Sequence, residues 1–116
     1  MDRNAASQHR QALLRLREER NAIEEELLAS RELLRGSLLA HRILAGGHRR
    51  SQPAYYLYRV DSGRRRMVYI KKADLEKARR EAEAYRRFQD GLHRLRKLSR
   101  EILGLFKKLR ESGDTL

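Results

Sequence analysis

The chemistry of this chain concentrates in a central stretch where arginine and tyrosine intermingle. Arg42, His48, Arg49, Arg50, Arg59, Arg64, Arg65, Arg66, Lys71 and Lys72 are interleaved with Tyr55, Tyr56, Tyr58 and Tyr69. A guanidinium is planar and binds a phosphate through two parallel hydrogen bonds, while a phenol ring stacks on a base or donates its hydroxyl to a phosphate oxygen. The expected partner is therefore nucleic acid, DNA or RNA. Arg42, Arg49, Arg50, Arg59, Arg64, Arg65, Arg66, Lys71 and Lys72 are the expected phosphate contacts, with Tyr56 and Tyr58 as the aromatic ones. The competing account makes the arginines a solvated edge that discourages strand aggregation and the tyrosines ordinary packing. Charge favours recognition: residues 41–72 hold nine cations against one carboxylate, more than an edge needs. The basic residues of the last third, Arg79, Arg80, Arg86, Arg87, Arg94, Arg96 and Lys97, read as an ordinary solvated face.

Other chemistries find little support. His9 and His93 lack a second ligand three or four residues away, and His41 and His48 are seven apart with arginine between them, so no metal site is expected. Glu24, Glu25 and Glu26 point around a helix and do not converge on one ion. A phenol attacking phosphate would need a positioned base and a supporting shell, which a thin architecture does not supply. Gly46-Gly47 lacks the downstream Gly-Lys-Ser/Thr of a phosphate loop. The expectation is a non-enzyme without cofactors.

Composition sets the same bounds. The chain has 116 residues, with 28 Lys and Arg against 16 Asp and Glu, for a net charge of +12. With 40% apolar and 6% aromatic residues, one Pro and no Trp, it is expected to build only a small core, and a pocket enzyme is not expected. One domain over residues 1–116 is expected. No apolar run approaches the roughly 18 to 20 residues of a membrane span, and no leader pattern opens the chain, so a soluble, cytoplasmic protein is expected. The absence of cysteine fits a reducing compartment.

The elements that must position the basic centre follow from periodicity. From Ala5 to Ala40 the only Gly is Gly36 and there is no Pro, and Leu, Ala, Glu and Arg dominate, which predicts a long helix. Its stripe His9, Leu13, Leu16, Arg20, Ile23, Leu27, Ser30, Leu34 alternates steps of four and three like a heptad seam, with Arg20 and Ser30 as faults. Adjacent pairs such as Leu13-Leu14, Leu27-Leu28, Leu33-Leu34 and Leu38-Leu39 widen the stripe beyond one partner. At Gly36-Ser37 a break, with a further short helix through Leu44, is favoured over a mild kink, and a loop is expected over 46–53. Residues 54–60 and 65–70 are dense in strand formers around Asp61-Ser62-Gly63-Arg64, which predicts a β-hairpin over 54–70. Asp74 caps a last helix over 73–111 with the seam Leu75, Ala78, Ala82, Tyr85, Phe88, Leu92, Leu95, Ser99, Ile102, Phe106, Leu109, and 112–116 is a tail. Gly91 and Gly104 interrupt that helix at a cost of about 1 kcal/mol each.

The motifs Gly36-Ser37-Leu38, Tyr55-Tyr56-Leu57, Gly63, Val68-Tyr69-Ile70, Leu75-Glu76 and Tyr85-Arg86-Arg87 come in an order that resembles a family of small, functionally uncharacterised prokaryotic proteins. That family carries a Gly-Ser-Leu motif, a Tyr-rich hairpin and a charged C-terminal helix, and is often encoded among mobile-element genes. The resemblance covers residues 35–90. Its members have a Cys cluster where this chain has Gly46, Gly47, His48, Arg49, Arg50 and Ser51, so no metal site is carried over.

The expected fold is thus mainly α with a small β-hairpin: long helix, hairpin, long helix, in an antiparallel coiled-coil-like arrangement. The two helices would be equally long, at roughly 55 to 60 Å, with the basic hairpin at the end where the chain turns round. Two helices and a ribbon leave apolar surface uncovered, so a homodimer with a four-helix core is expected. The alternative function is a coiled-coil adaptor or scaffold that docks on another protein, with the basic end meeting an acidic surface. A membrane-surface role lacks the bulky insertion face it would need.

Overall fold

The computed structural model of the chain describes residues 3–42, 44–45, 48–49 and 52–113. Two helices flank β-structure in the order α1 (Arg3–Ala29), β1 (Ser37–His41), β2 (Leu44–Ala45), β3 (His48–Arg49), β4 (Ala54–Asp61), β5 (Arg64–Ile70), a 3-10 turn at Lys72–Asp74, and α2 (Leu75–Gly113). The mainly helical class with strands between the helices is as the sequence implies. Residues pack into two compact units, Met1–Ser30 with Phe88–Leu116, and Arg31–Arg87.

The first unit is a helix pair. α1 turns Leu13 inward, with His9, Leu16, Arg20, Ile23 and Leu27 half-buried along the expected stripe. From α2, Leu98 is wholly buried and Ile102 nearly so. The pairing is antiparallel: Gly91 faces Leu27 and Ile23, Arg94 reaches Glu19, and Ile102 shares a groove with Leu13. Gly91 permits the close approach, because a Cβ there would stand 2.9 Å from Leu27 Cδ2. This revises the α2 seam, since Leu98 takes the place assigned to Ser99 and Phe106 is 56% exposed. Stepping through Gly91, Leu95, Leu98 and Ile102 obeys the same repeat, and it leaves the Ser99 hydroxyl in water rather than buried without a partner. The helices are also unequal. The 27 residues of α1 span about 40 Å and the 39 of α2 about 58 Å, so only the later part of α2 pairs with α1.

The largest departure from expectation is between residues 30 and 41. α1 ends at Ala29, where the Ser30 amide donates to the Leu27 carbonyl and Ser30 Oγ donates to that of Glu26. The chain then runs irregularly to Gly36, and Ser37–His41 is a strand, not a continuation of helix. An isolated hairpin is marginal in water, and β1 supplies the third strand that it lacks. Gly36 is required for this, as its φ of +134° suits glycine alone and a Cβ would lie 2.6 Å from the Tyr58 carbonyl oxygen. In place of the expected short helix and loop, β2 and β3 pair Leu44 with Arg49 and Ala45 with His48. Gly46, Gly47, Arg50 and Ser51 lie outside the described residues, as does the side chain of Arg49.

The second unit holds the sheet, in the order β1-β4-β5 and antiparallel throughout. Ser62 and Gly63 both have positive φ, +51° and +79°, the signature of a two-residue type I′ turn whose twist matches that of the strands. The side of the sheet carrying Tyr55 faces the first turns of α2, where Arg79 sits 5.0 Å over the Tyr55 ring. Ala78 and Ala82, one turn apart, are buried there, and Leu57 is 2% exposed. The Leu34 amide donates to the Glu81 carbonyl and ties the incoming segment to the same helix. Among the described residues, no helix is long and apolar enough to cross a membrane.

Candidate nucleic-acid interface

Strand alternation sorts the basic centre onto two faces. The register pairs Tyr56 with Leu39 and Tyr69, Tyr58 with Ser37 and Met67, and Val60 with Arg65. Directly paired residues share a face, so Leu39, Tyr56, Tyr58, Val60, Arg65, Met67 and Tyr69 lie together on the side away from α2. His41 extends this group, its ring 5.9 Å from that of Tyr56, and Tyr56 in turn lies 5.6 Å from Tyr69, both edge to face. This face is open: Tyr69, Met67 and Val60 are 57%, 50% and 47% exposed.

The opposite face carries Arg59, Arg64 and Arg66 with Tyr55, Leu57 and Asp61. The turn arginines Arg64, Arg65 and Arg66 therefore do not act as one cluster, because Arg65 points to the other side from its neighbours. Asp61 gathers its own cations. It is ion-paired with Arg35, with Arg59 at 2.9 Å and, at 3.8 Å, with Arg66. Arg35 also donates to the Val60 carbonyl at 3.0 Å. Three guanidiniums on one carboxylate leave a local surplus of positive charge, held in place at the hairpin end. Arg42, Arg64, Arg65, Lys71 and Lys72 are exposed and make no ion pair with another described residue.

Of the residues singled out from sequence, Tyr56, Tyr58 and Arg65 are thus brought together, and Arg59 and Arg66 are partly occupied by Asp61. Arg42 follows β1, while Lys71 and Lys72 follow β5. Arg35 and His41 stand outside the residues singled out from sequence, and Tyr69 stands among the central tyrosines without being chosen as a contact. Arg35 sits in a sequence segment of zero net charge, and only the turn after Ala29 carries it to Asp61. The one carboxylate within a +8 stretch was the available sign that a cation would be recruited. His41 and Tyr69 join the tyrosine face through the β1-β4-β5 register. Two arginines of α2 are not simply solvated: Arg94 donates from Nε to Glu19 Oε1 at 2.7 Å, and Arg79 covers Tyr55. Among the described residues, no three His, Asp or Glu side chains are grouped to hold a metal ion.

Comparison with protein-family models, curated proteins and solved structures returns no match, so the reading of this site stands on its own residues.

Proposed function

We propose that the sheet unit binds nucleic acid and performs no chemistry on it. The observation that carries this is the surplus of exposed cations around the β4–β5 hairpin and its flanks, Arg42, Arg64, Arg65, Lys71 and Lys72, beside an open tyrosine face. Lysine and arginine gain affinity by releasing the counterions condensed on a phosphate backbone, and the free donors of Arg59 and Arg66 add to this even while Asp61 holds them. The protein works in the cytoplasm as a homodimer, an accessory factor of a nucleoprotein complex such as one formed by a mobile element. That setting is where the family it resembles points.

The test is titration of a labelled duplex across salt concentrations. If six cations neutralise phosphates, the log-log slope is roughly −5, and Arg64→Ala with Arg65→Ala lowers its magnitude by about two while helicity is unchanged. A slope near zero refutes the reading.

A second reading, a coiled-coil adaptor, is favoured by the helix pair. Leu14, Leu103 and Phe106 are each more than half exposed, and Leu13, Leu14, Ile102, Phe106 and Leu109 line a groove rimmed by Arg10, Arg17 and Arg20. In the first reading a second copy of the chain fills this groove, and in the adaptor reading a different polypeptide does. Isolation of the protein at high salt with a different polypeptide seated in that groove would favour the adaptor.

A further inference from the structure

Resting on the nucleic-acid reading, we infer that the preferred ligand is a single strand whose unpaired bases stack on the open sheet face. In a duplex, bases are already stacked on one another, and a protein meets phosphates and groove edges. Exposed rings on a sheet gain most from bases that are splayed out. Here all three strands contribute: His41 from β1, Tyr56 from β4 and Tyr69 from β5. The rings touch edge to face at 5.9 and 5.6 Å with interplanar angles of 83° and 64°, so they restrain one another as a stepped platform in which each ring offers its own face to a base, not as one flat plane. Met67 and Leu39 provide apolar floor beside them, and Tyr58 continues the platform along β4.

Two further observations fit a strand lying across this face. A shallow cleft of about 400 Å³ wraps round one end of the sheet, lined by Tyr69, Pro53, Gln52 and Lys72 and, from the side facing α2, by Tyr55, Ile70 and Leu75. It combines flat surfaces for a base, an amide for its polar edge and an ammonium for a phosphate. Along the same face, Arg65 lies towards the hairpin turn, two residues beyond Met67 and four from Tyr69. At roughly 3.4 Å per residue, Arg65 and Tyr69 are some 13 to 14 Å apart along β5, which spans about two nucleotides of an extended strand. Cations therefore stand at both ends of an aromatic platform, complementary to a chain that alternates bases and phosphates.

The experiment measures anisotropy of one short fluorescein-labelled DNA oligonucleotide, alone and annealed to its complement, with the RNA of the same sequence as a further arm. The single strand, DNA or RNA, is expected to bind on the order of tenfold tighter than the duplex. Because the chain has five Tyr and no Trp, unlabelled single strand should also quench the tyrosine emission. Tyr69→Ser should weaken single-strand binding on the order of tenfold, and Tyr69→Phe, which keeps the ring and loses the hydroxyl, should restore it. Tyr69 is largely exposed, so both variants should keep the parent's circular dichroism. Duplex binding at least as tight as single-strand binding, with no quench, overturns the stacking inference and leaves the broader reading standing. Loss of affinity in Tyr69→Phe equal to that in Tyr69→Ser also overturns stacking, since the hydroxyl would then be the contact. Absence of binding to every oligonucleotide at low salt overturns both.

Discussion

Glycines show at the residue scale how two identical letters acquire opposite roles. Both Gly91 and Gly104 carry the usual helix penalty of about 1 kcal/mol relative to Ala. At Gly104 a Cβ would meet nothing within 4 Å, whereas at Gly91 it would press on Leu27. Gly104→Ala should therefore raise the unfolding free energy by about 1 kcal/mol in urea titration. Gly91→Ala should yield none of that gain, because Leu27 must repack to admit the methyl. Equal gains at the two sites would show that the helices do not approach at Gly91. Gly36 belongs to a third kind, in which glycine is demanded by φ and by a backbone carbonyl at once. Periodicity flags all of these only as interruptions, and the neighbour that decides each role is distant in sequence.

Within the elements, the β4–β5 hairpin was legible from composition because its determinants are local. Strand formers on both sides of Asp61-Ser62-Gly63-Arg64 specify two strands, a tight turn and the alternation that puts Tyr55 with Leu57 and Tyr56 with Tyr58. Ser62 is the weak point of that turn, as a non-glycine residue held at φ +51°. Ser62→Asn should stabilise the hairpin by about 0.5 kcal/mol, because asparagine tolerates this region and Asn-Gly suits a type I′ turn. A lower thermal midpoint for that variant would contradict the turn assignment. β1 was not legible. Leu38-Leu39 serves a helix stripe and a two-faced strand equally well, and adjacent leucines do not distinguish periods of 3.6 and 2. The exposed edge of β4, a long-range feature, resolves the ambiguity by offering unpaired amides and carbonyls to whichever segment can reach them.

For the molecule as a whole, solvent-facing apolar surface on the helix pair bears on assembly. The proposed homodimer covers Leu14, Leu103 and Phe106, residues that a monomer leaves in water. Sedimentation at micromolar concentration should give a dimer, and Leu14→Ser combined with Phe106→Ser should give a folded monomer. A monomeric parent protein would remove the dimer. Since these residues belong to the helix pair and the exposed cations Arg42, Arg64, Arg65, Lys71 and Lys72 belong to the sheet unit, the double variant should retain most of its intrinsic affinity per site. A monomer that binds an oligonucleotide far more weakly than the parent would tie assembly to recognition through avidity.

The mainly helical class, the turn at Ser62-Gly63 and the concentration of cations in residues 41–72 were all properties of the sequence alone. Each depends on residues close in the chain or on composition, so short-range sterics and charge counting suffice. Tertiary structure decided which cations are free and which belong to Asp61, that Ser37–His41 pairs as a strand, and that His41 and Tyr69 share a face with Tyr56. Those outcomes depend on which distant segments come within hydrogen-bonding and van der Waals range. No local pattern encodes such a choice, because the competing arrangements satisfy the local preferences equally well.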